Sequence, residues 1–125
     1  MLRRAGLWVA MWLLAAAAQA HHSAAMFDRT KSVELVGTIK EYQFANPHVW
    51  IELLVPGASG PQVQWSIEGE GPGIMAFMGL GPTVLKAGLK ITLQAHPLRD
   101  GRPGGSFISI KFEDGRVVTT MKPPQ

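Results

Sequence analysis

The chain has 125 residues, no cysteine, and 12 Lys and Arg against 9 Asp and Glu, for a formal net charge of +3. The absence of cysteine excludes a disulfide framework, a thiolate metal centre and a lipoprotein anchor. Arg3 and Arg4 carry most of the excess charge, and without them 10 cations face 9 carboxylates, which leaves no electrostatic footprint for nucleic acid.

Those two arginines open a three-part export signal. Ala5 to Ala18 is apolar throughout, and Ala18-Gln19-Ala20 is the small-x-small pattern that signal peptidase accepts. An apolar run of about 14 residues is too short for a membrane span, which needs roughly 20. The pattern predicts a signal peptide over residues 1–20, cleavage after Ala20, and a periplasmic protein whose mature chain begins His21-His22-Ser23. No membrane association is expected once the signal is removed. The remaining ~105 residues suit one domain with a modest core.

Residues 21–32 lack apolar periodicity and read as an extended N-terminal arm. A domain over 33–120 then follows with period two. Val33, Leu35, Gly37 and Ile39 form one face of a first strand ending near Phe44, and Asn46-Pro47 marks a turn. A second strand is expected from His48 to Val55, with Val49, Ile51, Leu53 and Val55 inward and His48, Trp50, Glu52 and Leu54 outward. Val63, Trp65 and Ile67 make the inner face of a third strand. Pro72 suits the first turn of a short helix reaching Met78, which Gly79 and Gly81-Pro82 end. A fourth strand places Leu89, Ile91, Leu93 and Ala95 inward and His96 outward. After a long loop from Pro97 to Gly105, a fifth strand places Ile108, Ile110 and Phe112 inward. Asp114-Gly115 is a hairpin signal before Arg116 to Thr120, and the Pro-rich end at 121–125 reads as a disordered tail.

This order predicts an all-β fold: a small OB-like Greek-key barrel with one short helix between strands three and four. A β-sandwich is the alternative, since strand count alone does not separate the two.

The histidines carry the candidate chemistry. In an OB-type barrel the loop between strands one and two and the loop between strands four and five flank one binding face. His48 adjoins the first loop and His96 the second. A free amino group and the ring Nδ1 of the same histidine chelate one metal, so cleavage would make His21 a bidentate ligand. His22 offers a second mode through the deprotonated amide. All-nitrogen ligation favours Cu(II), and a metal displaces the protons of both groups near neutrality. Met26 is a soft ligand for Cu(I), against its ordinary role as a hydrophobic contact beside Phe27. A histidine next to proline is, more plainly, a turn residue with one satisfied hydrogen bond. Reach matters too: the arm leaves the far end of strand one, roughly 35 Å from His48 at about 3.3 Å per residue. Trp50 shares the face of His48 and is a ligand platform. Arg99 is expected to pair with Asp100, with a minority role, shared with Arg102, in holding an anion. Glu68 and Glu70 read as a solvated edge. There is no phosphate loop, nucleophile elbow or His-Glu-x-x-His helix.

The ordered series of His21-His22-Ser23, Asn46-Pro47-His48-Val49-Trp50, Trp65-Ser66-Ile67-Glu68-Gly69 and His96-Pro97-Leu98-Arg99-Asp100-Gly101, ending at Pro103-Gly104-Gly105-Ser106, resembles a family of small exported bacterial proteins. That family is known only as a domain of unknown function. The resemblance spans nearly all of the mature chain and implies a periplasmic setting without an activity. It breaks between Gly73 and Leu80, where the family carries a basic and aromatic stretch.

Two readings follow. In the first, the protein is a copper carrier or buffer rather than an enzyme, with His21 completed by His48 or His96 and His22 as alternative ligand. In the second, the outer face bearing Trp50, Gln64, Thr92 and Lys111 docks an oligosaccharide, peptide or partner protein. The partner is thus a metal ion or small ligand, and not nucleic acid.

Overall fold

The computed structural model of the protein describes residues 24–120. The expected signal peptide at 1–20, His21, His22 and the expected tail at 121–125 lie outside the described residues. Val33–Gln43 forms β1, which changes partner at Thr38. Its first half pairs with β4 (Lys90–Pro97), its second half with β2 (Trp50–Val55). A strand serving two partners in succession must coil around the sheet, and Gly37 permits it: a Cβ there would sit 2.5 Å from the Leu54 carbonyl oxygen. A bulge between Ile39 and Glu41 adds to the bend.

β2 pairs with β3 (Val63–Glu68), and β4 with β5 (Gly104–Phe112). The sheet closes where β3 meets β5 in parallel register, Ser66 beside Gly104 and Glu68 beside Ser106. A short β6 (Val117–Thr119) extends β5 beyond that seam. Five strands thus close into a barrel of OB type, as expected, and the sandwich alternative falls. Helix α1 (Pro72–Phe77) lies between β3 and β4, with Pro72 in its first turn. It ends at Phe77, where Gly79 takes a positive φ of 92° and donates to the Ala76 carbonyl.

Leu35, Ile39, Ile51, Leu53, Ile67, Ile91, Leu93, Ala95, Ile110 and Phe112 fill the interior, with Met75 of α1 beneath them. Most of these are the inward positions of the period-two pattern. Ile108 is the exception. The ladder slips between Gln94 and Ala95, so Ala95 pairs with Phe107 and Gln94 with Ser109. Ile108 is the extra residue of that bulge, and Phe107 takes the buried place instead. Trp65, expected in the core, is only half-buried at its edge. Tyr42 faces the base of the barrel, donating to the Leu80 carbonyl at 2.8 Å, and Phe44 meets its ring edge-on.

Two predictions follow from this packing. Gly37→Val drives a branched side chain into a backbone carbonyl that cannot rotate away. It should cost about 1–3 kcal/mol in denaturant unfolding. Burial pushes the Tyr42 hydroxyl up to about 12. The folded chain therefore keeps a proton that the unfolded chain releases near pH ~10, so stability is full below that pH and falls as pH rises towards ~12. Tyr42 is the 1 tyrosine of the chain, so its titration can be followed by phenolate absorbance, and Tyr42→Phe should flatten this alkaline loss. The same variant should cost about 0.5–1.5 kcal/mol at neutral pH for the lost hydrogen bond.

Candidate functional site

The outer face of β2 and β3 carries a run of polar side chains, Glu52, Gln64, Ser66 and Glu68. Direct cross-strand pairs set Trp50 beside Glu68 and Glu52 beside Ser66. Glu52 and Glu68 are nevertheless among the buried residues, at 9% and 8% exposure. A carboxylate so far removed from water needs donors. Glu52 Oε2 accepts from Ser66 Oγ at 2.7 Å and Gln64 Nε2 at 2.8 Å. Glu68 Oε1 lies 2.6 Å from His48 Nδ1.

His48 stands just ahead of β2, after the cis Asn46-Pro47 bond. The ladder continues past the formal strand ends to hold it: Val49 donates to the Glu70 carbonyl and accepts from Gly69 N–H. Gly69 is required there, because a Cβ would meet Val49 Cγ2 at 2.5 Å. An ionised carboxylate only accepts hydrogen bonds, so Nδ1 of His48 carries the hydrogen, and in the neutral ring the lone pair sits on Nε2. A metal-binding imidazole is oriented by a partner of this kind.

One register row runs across four strands: His96, Ser106, Glu68, Trp50. His96 is therefore on the same outer face, about three strand spacings or ~14 Å of backbone from Trp50. Its Nδ1 lies 2.8 Å from the Lys31 carbonyl oxygen, which ties it to the arm. Thus the structure gives His48 to Glu68, and His96 to the segment leading into β1. Among the described residues no group of three or more His, Asp or Glu side chains is set to hold a metal.

The arm departs from the extended path expected of it. It turns at Asp28 to Lys31, where Asp28 accepts from the Thr30 hydroxyl and amide, bonds that hold its carboxyl below the usual range. It then runs back along the loop between β4 and β5. Asp28 N donates to the Pro97 carbonyl, Phe27 bridges Leu98, and Arg99 N donates to the Met26 carbonyl. The Arg99 side chain is a strut for this arm, with Nε on the Ala25 carbonyl at 3.2 Å. The expected Arg99–Asp100 pair is replaced by Arg102 Nε on Asp100 Oδ2 at 2.7 Å. The Arg102 amide and side chain together lower the Asp100 carboxyl.

Arm, loop and sheet enclose a cleft of about 500 Å³, with Phe27, Leu98 and Pro103 as apolar wall and Trp50, Ser66 and Glu68 on the sheet side. Met26 and Arg102 also line it. Thr92 and Lys111 line a different cleft, beside Val36 and Lys90. The single docking face of Trp50, Gln64, Thr92 and Lys111 is therefore divided, with Gln64 occupied by Glu52 and Lys40. Sequence reasoning took Glu68 for a solvated edge and passed over Glu52. The available signal was their placement opposite Trp50 and Ser66 on a face flanked by two loops.

The model of one protein family matches residues 10–107. The chain belongs to DUF6152, a family of unknown function. No curated protein matches this DUF6152 chain. Among solved structures it is similar to the mitochondrial single-stranded DNA binding protein Rim1 of S. cerevisiae, with a TM-score of 0.50 and 12% identity over 72% of this chain and 95% of that one. At that identity the likeness is one of fold, and it agrees with the OB-type barrel.

The buried carboxylate gives the site its own test. Ser66→Ala leaves Glu52 with the Gln64 donor alone and should cost about 1–3 kcal/mol in thermal or denaturant unfolding. Glu52→Gln in the same background should recover part of that loss, because a neutral amide needs less solvation.

Proposed function

We propose that this DUF6152 protein is exported to the periplasm and binds copper there as a carrier or buffer, through the amine and ring of His21 and the Nε2 of His48. His22 is the alternative ligand through the amide mode. The observation that carries the reading is the His48–Glu68 pair, 2.6 Å apart, in which Glu68 also lines the cleft; it leaves the outer nitrogen of an oriented imidazole as a ligand. The path of the arm supports it. Met26 and Phe27 line the same cleft, and His21 lies three residues before Ala24, so its Cα is tethered within about 10 Å of Ala24 by chain length alone. His96, engaged with Lys31, serves the arm rather than the metal.

The buried carboxylate of Glu68, which lines the cleft beside Trp50, favours a cation and opposes a phosphate backbone, which argues for a metal and against nucleic acid in this cleft. No helix among the described residues is long and apolar enough to cross a membrane. A second reading rests on Trp50 itself, 37% exposed above an apolar wall. There the cleft would take an oligosaccharide, a peptide or a partner protein. Trp50→Ala would then abolish binding, and His48→Ala would leave it intact.

The test is Cu(II) titration with electron paramagnetic resonance on the exported protein, its start at His21 checked by mass spectrometry. A version carrying one extra residue before His21 loses the amine chelate. It should bind at least about tenfold more weakly, roughly 1.4 kcal/mol, with an altered spectrum. Identical spectra and affinities in the two proteins would sink the N-terminal site. His48→Ala should change the spectrum as well.

A further inference from the structure

Two aromatic side chains border the cleft from separate elements, Phe27 from the arm and Trp50 from β2. Phe27 is 5% exposed and Trp50 37%, so the indole offers a ligand the more open surface. Two charged side chains border the same space. One is Glu68, buried at 8% exposure and opposite Trp50 in the β2–β3 register. The other is Arg102, from the loop between β4 and β5, whose Nε holds Asp100. His48 is not among the described residues that line the cleft, so the cleft is a separate site from the proposed chelate. The polar groups of its wall are already engaged. Ser66 Oγ donates to Glu52, Glu68 Oε1 accepts from His48, and Gly104 and Gly105 are held in the closure of β5 on β3.

We infer that the cleft binds a small zwitterion of the betaine kind, its trimethylammonium end beside Trp50 and Glu68 and its carboxylate towards Arg102. The state of the wall selects the charged end. A sugar or a primary ammonium must exchange hydrogen bonds, and the engaged groups of the wall leave it few partners. A quaternary ammonium carries its charge on methyl groups and donates no hydrogen bond. It gains instead from an indole beside it and from a buried carboxylate whose charge water screens little. Arg102 selects the other end. With Nε on Asp100, its terminal N–H groups remain to meet a carboxylate. Each charge of the zwitterion thus has its opposite in the lining, whereas a simple cation would leave the guanidinium unmatched. The volume of about 500 Å³ falls within the roughly 300–1,000 Å³ of small-ligand sites.

Isothermal titration calorimetry on the chelator-treated protein tests this with three probes. Glycine betaine carries both charges. Its carbon isostere tert-butylacetate keeps the shape and the carboxylate but lacks the positive charge. Choline keeps the ammonium and has a hydroxyl where the carboxylate stood. Glycine betaine should bind at least about tenfold more tightly than either. Trp50→Leu, at a surface position, should weaken glycine betaine about threefold or more. Arg102→Gln should remove its advantage over choline while leaving choline no weaker. Equal affinity of the wild-type protein for glycine betaine and tert-butylacetate, or for glycine betaine and choline, would overturn the inference. So would the absence of saturable glycine betaine binding. The assay contains no metal and the cleft is built from residues 26–105, so its outcome is independent of whether His21 chelates copper.

Discussion

Closure of the barrel at β3 and β5 rests on how near two backbones come at Gly104 and Gly105. A Cβ on Gly105 would meet the His96 carbonyl oxygen at 2.6 Å, and one on Gly104 would meet Leu98 Cδ1 at 2.7 Å and the Ser66 carbonyl at 3.2 Å. Only hydrogen fits between these strands. That contact sets Ser66 and Glu68 beside the loop between β4 and β5, and the loop in turn receives the arm. Without the glycine pair β3 would be a sheet edge, open to pairing with another chain. Its outer face would have no second wall. The cleft is therefore a consequence of closure, and the seam is what brings together residues as distant in sequence as Met26 and Glu68.

The burial of Glu68 on an outer face goes with that wall, and Glu52 is buried on the same face. On an ordinary barrel surface Glu52 and Glu68 would be solvated. Here both are buried, Glu68 on the cleft wall and Glu52 beside Ser66 and Gln64, and each needs donors of its own. Ser66 and Gln64 serve one and His48 serves the other. The polar row thus does two things at once: it satisfies groups that closure has desolvated, and it orients an imidazole towards the rim. Desolvation also strengthens the field of the Glu68 carboxylate at the cleft. A cation entering there meets negative charge that water screens little, which is a feature of position rather than of composition, since the described charges are otherwise nearly balanced.

Much of the barrel was legible because one physical rule governs it. Val33 to Ile39, Val49 to Val55 and Ile91 to Ala95 alternate because one face of each strand must be dry, and the structure buries those inward positions except Val33 and Val55 at the strand ends, which are half-buried. The OB-type order, the short helix opened by Pro72 and the hairpin at Asp114-Gly115 were readable for similar local reasons. The failures cluster where tertiary geometry overrides the period. A bulge at Ile108 exchanges it with Phe107, and no residue in that stretch signals a bulge. Arg99 was paired with its neighbour Asp100, since sequence proximity is all a chain displays. Its true contact, Ala25, lies 74 residues away. His48 was singled out as a candidate ligand, but its partner Glu68 was invisible until β2 and β3 were in register.

The arm is where these strands of argument meet. An N-terminal segment without apolar periodicity has no strand or helix of its own to join, so its order must come from what it touches. Phe27 supplies the apolar contact, and the backbone of Met26 and Asp28 completes a ladder on Arg99 and Pro97. His96 adds a third tie through Lys31. The residue next to proline that looked like a metal ligand is thus part of the clamp that directs the chain end. An arm anchored this way fixes the chain from Ala25 to Lys31 against the loop between β4 and β5. Each tie shortens the free chain ahead of it, which lowers the entropy of closing a contact between that chain and the barrel. On the copper reading proposed above, loosening the clamp at His96 should therefore weaken a chelate to which His96 contributes no atom.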